Sequence, residues 1–361
     1  MDVTGNSLTD SVTPRKKAQF AALATAVGLA ILSLVTYFAW FHQTIPERNA
    51  VLSWMTGNAR AVLFIDLADL RRAPLFADLL AWAPKPDTDQ EYRQFVRDTG
   101  FDYEKDLDRL AVAFEQQGPQ KIFFAVASGH FDKKKIKAYA AKNGSLQNSG
   151  GTEIFSLPVA GSSERVSFMF LTKNRVAFTN SQDFASWLHG AKAVSDPEWS
   201  ERFARVAGSP AFAVIRNEAL KDAFGADPAA QDLACRATGG FSSPQLSSLL
   251  AQLQWLTIAG KPENNKLRVA LDAESLEDKN AQQLADLLNG VVLLARAGIS
   301  NSKAQQLGAT TRQSYLALLK SVEVSRIDRP DSKSVRLMFD VTPDILKSAP
   351  PYSPAAVPPP K

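Results

Sequence analysis

Apolar positions run almost unbroken from Ala18 to Phe41, interrupted only by Gln19, Thr25, Ser33 and Thr36, and no charge appears between Lys17 and Glu47. As a helix rising about 1.5 Å per residue, this stretch reaches roughly 36 Å, enough to cross a hydrocarbon core of about 30 Å with some tilt. A cleaved secretory signal carries a shorter apolar region ending in small residues. Here the run leaves through Tyr37, Phe38, Trp40 and Phe41, which suit the headgroup level. The pattern predicts an uncleaved transmembrane helix over 18–41. Arg15, Lys16 and Lys17 abut its first end, whereas Arg48 and Arg60 are the basic residues nearest the other. The positive-inside bias then makes residues 1–17 a cytoplasmic tail and everything after a juxtamembrane linker at 42–59 extracytoplasmic.

Beyond the linker the pattern changes to short apolar runs broken by turn residues, which read as strands and hairpins, with helical stretches between them. This pattern is written twice. Ala61–Leu70 has a counterpart in Ala211–Leu220, an apolar strand followed by polar residues that open a helix. Leu110–Phe114, the Gly118-Pro119 turn, Lys121–Val126 and a helix from about Phe131 correspond to Leu256–Gly260, a Pro262–Asn265 turn, Lys266–Leu271 and a helix from about Ser275. Val166–Phe170 matches Val335–Phe339, each read as the second arm of a hairpin. Three matches in the same order predict a duplication.

The units fall at 60–190 and 210–347, separated by a boundary at 191–209 that carries Asp196-Pro197 and Gly208-Ser209. The expected fold class is α+β: one N-terminal transmembrane helix, then two related units of antiparallel sheet with helices packed on one face. In the first unit the helices are expected at Ala68–Trp82, ended by Pro84 and Pro86, at Asp89–Asp98 and at Asp132–Lys142. In the second, Ser275 is placed to cap a helix whose stripe of Leu276, Leu284, Leu287, Leu288, Val291, Leu294 and Ala295 reads as core.

Composition narrows the classes. With 361 residues, 45% of them hydrophobic, most of the chain is expected to be folded. The net charge of +4 is spread along the chain and predicts no nucleic-acid partner. The single Cys235 excludes an intrachain disulfide framework. The tail at 348–361 is proline-rich and reads as extended; Tyr352 is its candidate contact residue if the tail meets a partner.

The search for chemistry yields no catalytic, cofactor or metal assignment. His42, His130 and His189 are too far apart to make a helical zinc pair, and no phosphate loop, dinucleotide fingerprint or nucleophile elbow is present. Asp102, Glu104, Asp106 and Asp108 alternate like a calcium loop but lack its turning glycine, and Lys105 sits among them. Lys133, Lys134, Lys135 and Lys137 open a helix whose dipole they oppose; they read as a solvated face, with contact to an anionic surface as the functional alternative.

The anchor, the Phe64–Leu75 stretch and the Val335–Pro343 arm together resemble those of uncharacterised bacterial single-pass envelope proteins with a duplicated α+β ectodomain. That resemblance implies residence in the inner (cytoplasmic) membrane. It carries no agreed activity. The expected function is a membrane-tethered, noncatalytic binding or scaffolding protein whose partner is another envelope protein or a cell-wall component. The alternative is an envelope hydrolase with dispersed carboxylates and serines between the units, for which Asp66 and Asp69 are the residues to watch.

Overall fold

Alternation along Ala61–Asp66 (β1) turns Val62, Phe64 and Asp66 to a buried side and leaves Leu63 partly exposed, as a strand covered more heavily on one face requires. This strand lies at the centre of a twelve-stranded antiparallel sheet. It is flanked by β2 (Leu107–Gln117) and by β8 (Ala211–Arg216). The computed structural model describes residues 48–82, 90–118, 120–149, 151–159, 164–181, 183, 184, 187, 192–224, 244–300, 308–330 and 332–348. The chain divides at Ala50, and residues 51–361 form the unit described below. The predicted transmembrane segment lies outside the described residues; among the described residues no helix is long and apolar enough to cross a membrane.

The remaining strands are β3 (Gln120–Gly129), β4 (Ser145–Ser149), β5 (Thr152–Pro158), β6 (Arg165–Phe170), β7 (Arg175–Thr179), β9 (Trp255–Glu263), β10 (Lys266–Ser275), β11 (Glu323–Asp328) and β12 (Lys333–Val341). Outward from the centre, the first half runs β1-β2-β3-β7-β6 and the second β8-β9-β10-β12-β11; β5 and β4 extend the first half alone. The shift that carries Leu110 onto Leu256 carries its partner Ala127 onto Ala273, so the two long hairpins share one register. Their turns agree as well, with positive φ at Gly118 (60°) and at Asn264 (56°), a conformation open to glycine and tolerated by asparagine.

At the centre, Asp66 N donates to Pro210 O at 2.6 Å and Arg216 N donates to Arg60 O at 2.7 Å, a two-fold pair of bonds about the β1–β8 contact. The match between Val166–Phe170 and Val335–Phe339 is displaced. The sheet position corresponding to β12 is held by β7, and β6 corresponds to β11.

Helices cover both faces of the sheet, not one. Along β9, Trp255 and Ala259 belong to one apolar cluster while Leu256 and Ile258 belong to another, as alternation across a strand demands. On the first face, Trp199 and Phe203 of a helix at Pro197–Arg205 pack with Phe64, Phe124, Phe212 and Val214. On the opposite face, Ile136 and Ala140 of a helix at Lys133–Asn143 cover Phe155, Phe168 and Val176 in the first half. In the second half, Ala281, Leu284 and Ala285 of the long helix Asp278–Ser300 cover Leu256, Ala273 and Val335. In chain order the helices are α1 (Leu67–Leu70), α2 (Phe76–Trp82), α3 (Gln90–Thr99), α4 (Tyr103–Asp106), α5 (Lys133–Asn143), α6 (Pro197–Arg205), α7 (Asn217–Phe224), α8 (Pro244–Ala251), α9 (Asp278–Ser300), α10 (Ala309–Ser321) and α11 (Pro343–Ser348).

Several expectations are corrected. The halves share one sheet instead of having one each, and the expected boundary stretch 191–209, which lies between β7 and β8, contains the helix α6. Asp196 caps α6, accepting from Glu198 N, and Pro197 takes the first helical position, where its missing N–H has no partner to lose. Residues 51–59, expected to belong to the linker at 42–59, are part of the folded unit. Val51, Leu52, Met55 and Ala59 are all buried in the central core. The single helix expected at Ala68–Trp82 is two, because Pro74 cannot continue the first. Ser275 ends β10 and accepts from Glu277 N, and α9 starts later, at Asp278. Its stripe is core only in part: Leu284 is buried, but Leu276 and Leu294 are 70% and 68% exposed. The second half of α9 lies beside α10, where Arg296 donates to Leu319 O.

Candidate functional site

A concave surface is built from the segments that follow β1. Asp66 caps α1, its Oδ1 accepting from Asp69 N at 3.0 Å, while Oδ2 receives Arg109 Nε at 2.7 Å. Arg71 then reaches across the chain: its Nε donates to Glu104 O at 2.8 Å and its Nη2 to Leu107 O at 2.5 Å, with Asp108 beside its Nη1. One guanidinium therefore holds α4 and the start of β2 against α1.

The other wall is α3. It ends at Gly100, whose φ of 73° reverses the chain and whose N–H bonds Val96 O. Phe95 packs edge-on to Phe101 and Tyr139, and Phe101 stacks on Phe131 at 5.2 Å, which seats α3 on α5. Asp102 caps α4 by accepting from Glu104 N. Beneath α4 the last residue of β3 must be glycine, because a Cβ at Gly129 would stand 2.1 Å from Asp106 O.

Between these walls lies a cleft of about 470 Å³ lined by Tyr92, Arg93, Val96, Arg97, Asp102, Tyr103 and Glu104. The Tyr92 and Tyr103 rings are tilted at 59° with centroids 5.9 Å apart. Arg93 and Arg97 stand one helical turn apart on the same side of α3, both exposed. The lining offers two aromatic faces, two permanent cations and two carboxylates, and it includes no Ser, Thr, Cys, His or Lys.

The residues singled out from the sequence are distributed differently. Asp102 and Glu104 line the cleft, but Asp106 accepts from Asp102 N and Asp108 pairs with Arg71, so the four carboxylates diverge. Among the described residues no three His, Cys, Asp or Glu side chains converge on a metal-sized site. The lysine run of α5 has a structural use that its opposition to the helix dipole hides. Lys133 and Lys137 lie over the rings of Phe170 and Phe155, Lys137 pairs with Glu153, and Lys135 pairs with Asp132. His42, His189, Cys235 and Tyr352 lie outside the described residues.

Asp66 and Asp69 do come together. Burial, and secondarily the charge of Asp66, holds the Asp69 carboxyl above the ordinary carboxylate range. Asp69 lies 3.6 Å from Arg72, and neither carboxylate lines the cleft.

Among the described residues the most deeply buried charge is elsewhere. Glu274, 1% exposed, accepts from Arg202 and Arg205 at 2.8 Å each. Arg202 lies 4.0 Å from the centre of the Trp255 ring, and Arg216 approaches the same ring at 4.9 Å. Beside it, Asp272 receives a two-pronged bond from Arg336 and a further bond from Arg329. These groups lock α6 and the outer strands of the second half in place.

No protein-family model matches the chain, and a search of curated proteins found no match. Among solved structures the chain is similar to crystal forms I, IV and III of TP0453, at 10%, 11% and 11% identity, with TM-scores of 0.41, 0.42 and 0.40. Each alignment covers 82% of this chain and 95–96% of the other.

Proposed function

We propose that this protein is a membrane-tethered, extracytoplasmic binding or scaffolding body, noncatalytic, whose α3–α4 cleft holds part of another envelope component. The observation that carries the reading is the composition of that cleft: the two tyrosine rings with Arg93 and Arg97 of α3 facing Asp102 and Glu104 at α4, the α4 wall being held by the Arg71 clamp. The tether is the apolar Ala18–Phe41 segment in the inner membrane, with residues 1–17 in the cytoplasm. We read the matching strand orders of the two halves as an internal duplication, in which one copy carries the cleft.

The test is site-specific photo-crosslinking in the native membrane from a reactive residue placed at Val96. Capture of one defined envelope component, lost when Arg93 and Arg97 are both changed to Glu, supports the reading. Adducts that persist in that double variant contradict it.

A hydrolase remains the second reading because Asp66 and Asp69 sit together and the Asp69 carboxyl is held above its ordinary range. Turnover of an ester or glycoside panel by the full chain, abolished by Asp69→Asn, would favour it over binding alone.

A further inference from the structure

The two edges of the sheet are built differently. An unpaired edge strand is a template for another strand, and proteins ordinarily blunt it with charges, proline, bulges or a covering element. β11 follows that rule. It carries Glu323, Arg326 and Asp328, and Arg326 is tied to Asp278 and Gln282 of α9.

β4 does not. Its five residues, Ser145-Leu-Gln-Asn-Ser149, are all exposed, contain no charge and no proline, and pair with β5 in unbroken register from Ser145–Ser156 to Ser149–Thr152. Among the described residues nothing lies beyond it in the sheet. It is nevertheless held firmly. Arg165 donates to Ser145 Oγ at 3.0 Å and to Ser156 O at 2.8 Å, strapping β6 to β4 across β5. At its start, a Cβ on Gly144 would stand 2.3 Å from Ser156 O, so the chain enters β4 pressed against β5. Leu146, opposite Phe155 on the side covered by α5, is 48% exposed.

We propose that β4 is a self-association edge: two copies of this chain pair antiparallel along it, about a two-fold axis at Gln147. The strand is suited to its own copy. Ser145 would face Ser149, Leu146 would face Asn148, and no like charges would meet across the axis. The pairing continues both sheets and brings the exposed Leu146 side chains to one face. A five-residue pair buries less than the roughly 1,200 Å² of a stable specific interface, so the dimer is weak and concentration-dependent. This inference does not rest on the cleft or on the tether, and it stands or falls separately from them.

The test uses the full chain with Cys235→Ser. With Gln147→Cys, oxidation should give a disulfide-linked dimer, whereas Ser325→Cys on β11 should stay monomeric. Gln147→Lys and Gln147→Glu should each weaken self-association about fivefold or more, and mixing the two variants should restore it. Because the strand is exposed, unchanged far-ultraviolet dichroism of each variant verifies the fold. Equal crosslinking from Gln147→Cys and Ser325→Cys would overturn the proposal. So would self-association indifferent to both charged variants, or a chain that sediments as monomer at every concentration.

Discussion

Leu63 of β1 stands directly opposite Ala213 of β8, and each occupies the same place in its own half of the sheet. The relation makes the centre of the molecule a near two-fold axis. On the buried side, Phe64 and Phe212 stack across it with centroids 5.1 Å apart. The core therefore belongs to both halves, and damage at the axis should be felt by both.

Phe64→Ala removes one of the largest fully buried side chains, and its expected cost is about 3–5 kcal/mol. Because β1 and β8 share the core, urea unfolding followed by tryptophan fluorescence and by far-ultraviolet dichroism should shift together. Two separated transitions, with only one displaced, would show that the halves fold independently.

Glu274→Ala leaves Arg202 and Arg205 without their shared carboxylate in a buried setting. Removal of one partner from such a group costs about 3–5 kcal/mol. The midpoint of urea unfolding should fall accordingly. Replacement of Glu201, which pairs with Arg205 at a more exposed position, should cost far less.

Two carboxyls should move stability in opposite directions with pH. The bond from Arg268, assisted by Lys266, holds the Asp340 carboxyl below its ordinary value of 3.8. Its contribution is present above that value and is lost as pH falls through the lower folded-state value. Asp340→Asn should thus lower stability at neutral pH and flatten the acid limb of the stability curve. Asp69 is raised from 3.8 by burial and by Asp66, so its effect is favourable in acid and is lost as pH rises through the raised value. Asp69→Asn should be neutral or stabilising at pH 7, since its pair with Arg72 is largely exposed.

Gly129→Ala forces a Cβ against the backbone of Asp106, where no flexible side chain can yield. It should displace α4 and abolish crosslinking from the cleft while leaving the disulfide at Gln147→Cys intact. Loss of both signals would indicate general unfolding.

The central architecture was legible because its strands announce themselves. Ala61–Asp66 and Ala211–Arg216 are apolar runs ending in polar residues, and the two long hairpins carry matching apolar residues on either side of a turn. Other elements were hidden for physical reasons. Asp196-Pro197 looks like a turn, but the same dipeptide starts α6, and only the burial of Trp199 and Phe203 distinguishes the two cases. β4 has a single apolar residue and owes its place to β5 and Arg165. The cleft left one usable trace, the helical spacing of Arg93 and Arg97. Its tyrosines are brought together by the reversal at Gly100, and the Arg71 clamp depends on carbonyl groups that have no sequence signal.

Topology reporters fused after Lys361 in the full chain decide whether the body lies outside the cytoplasm. For an extracytoplasmic body, a phosphatase fusion should be active and a fusion to a fluorescent protein that matures only in the cytoplasm should be dark. A dark phosphatase fusion with a bright fluorescent one would contradict that placement.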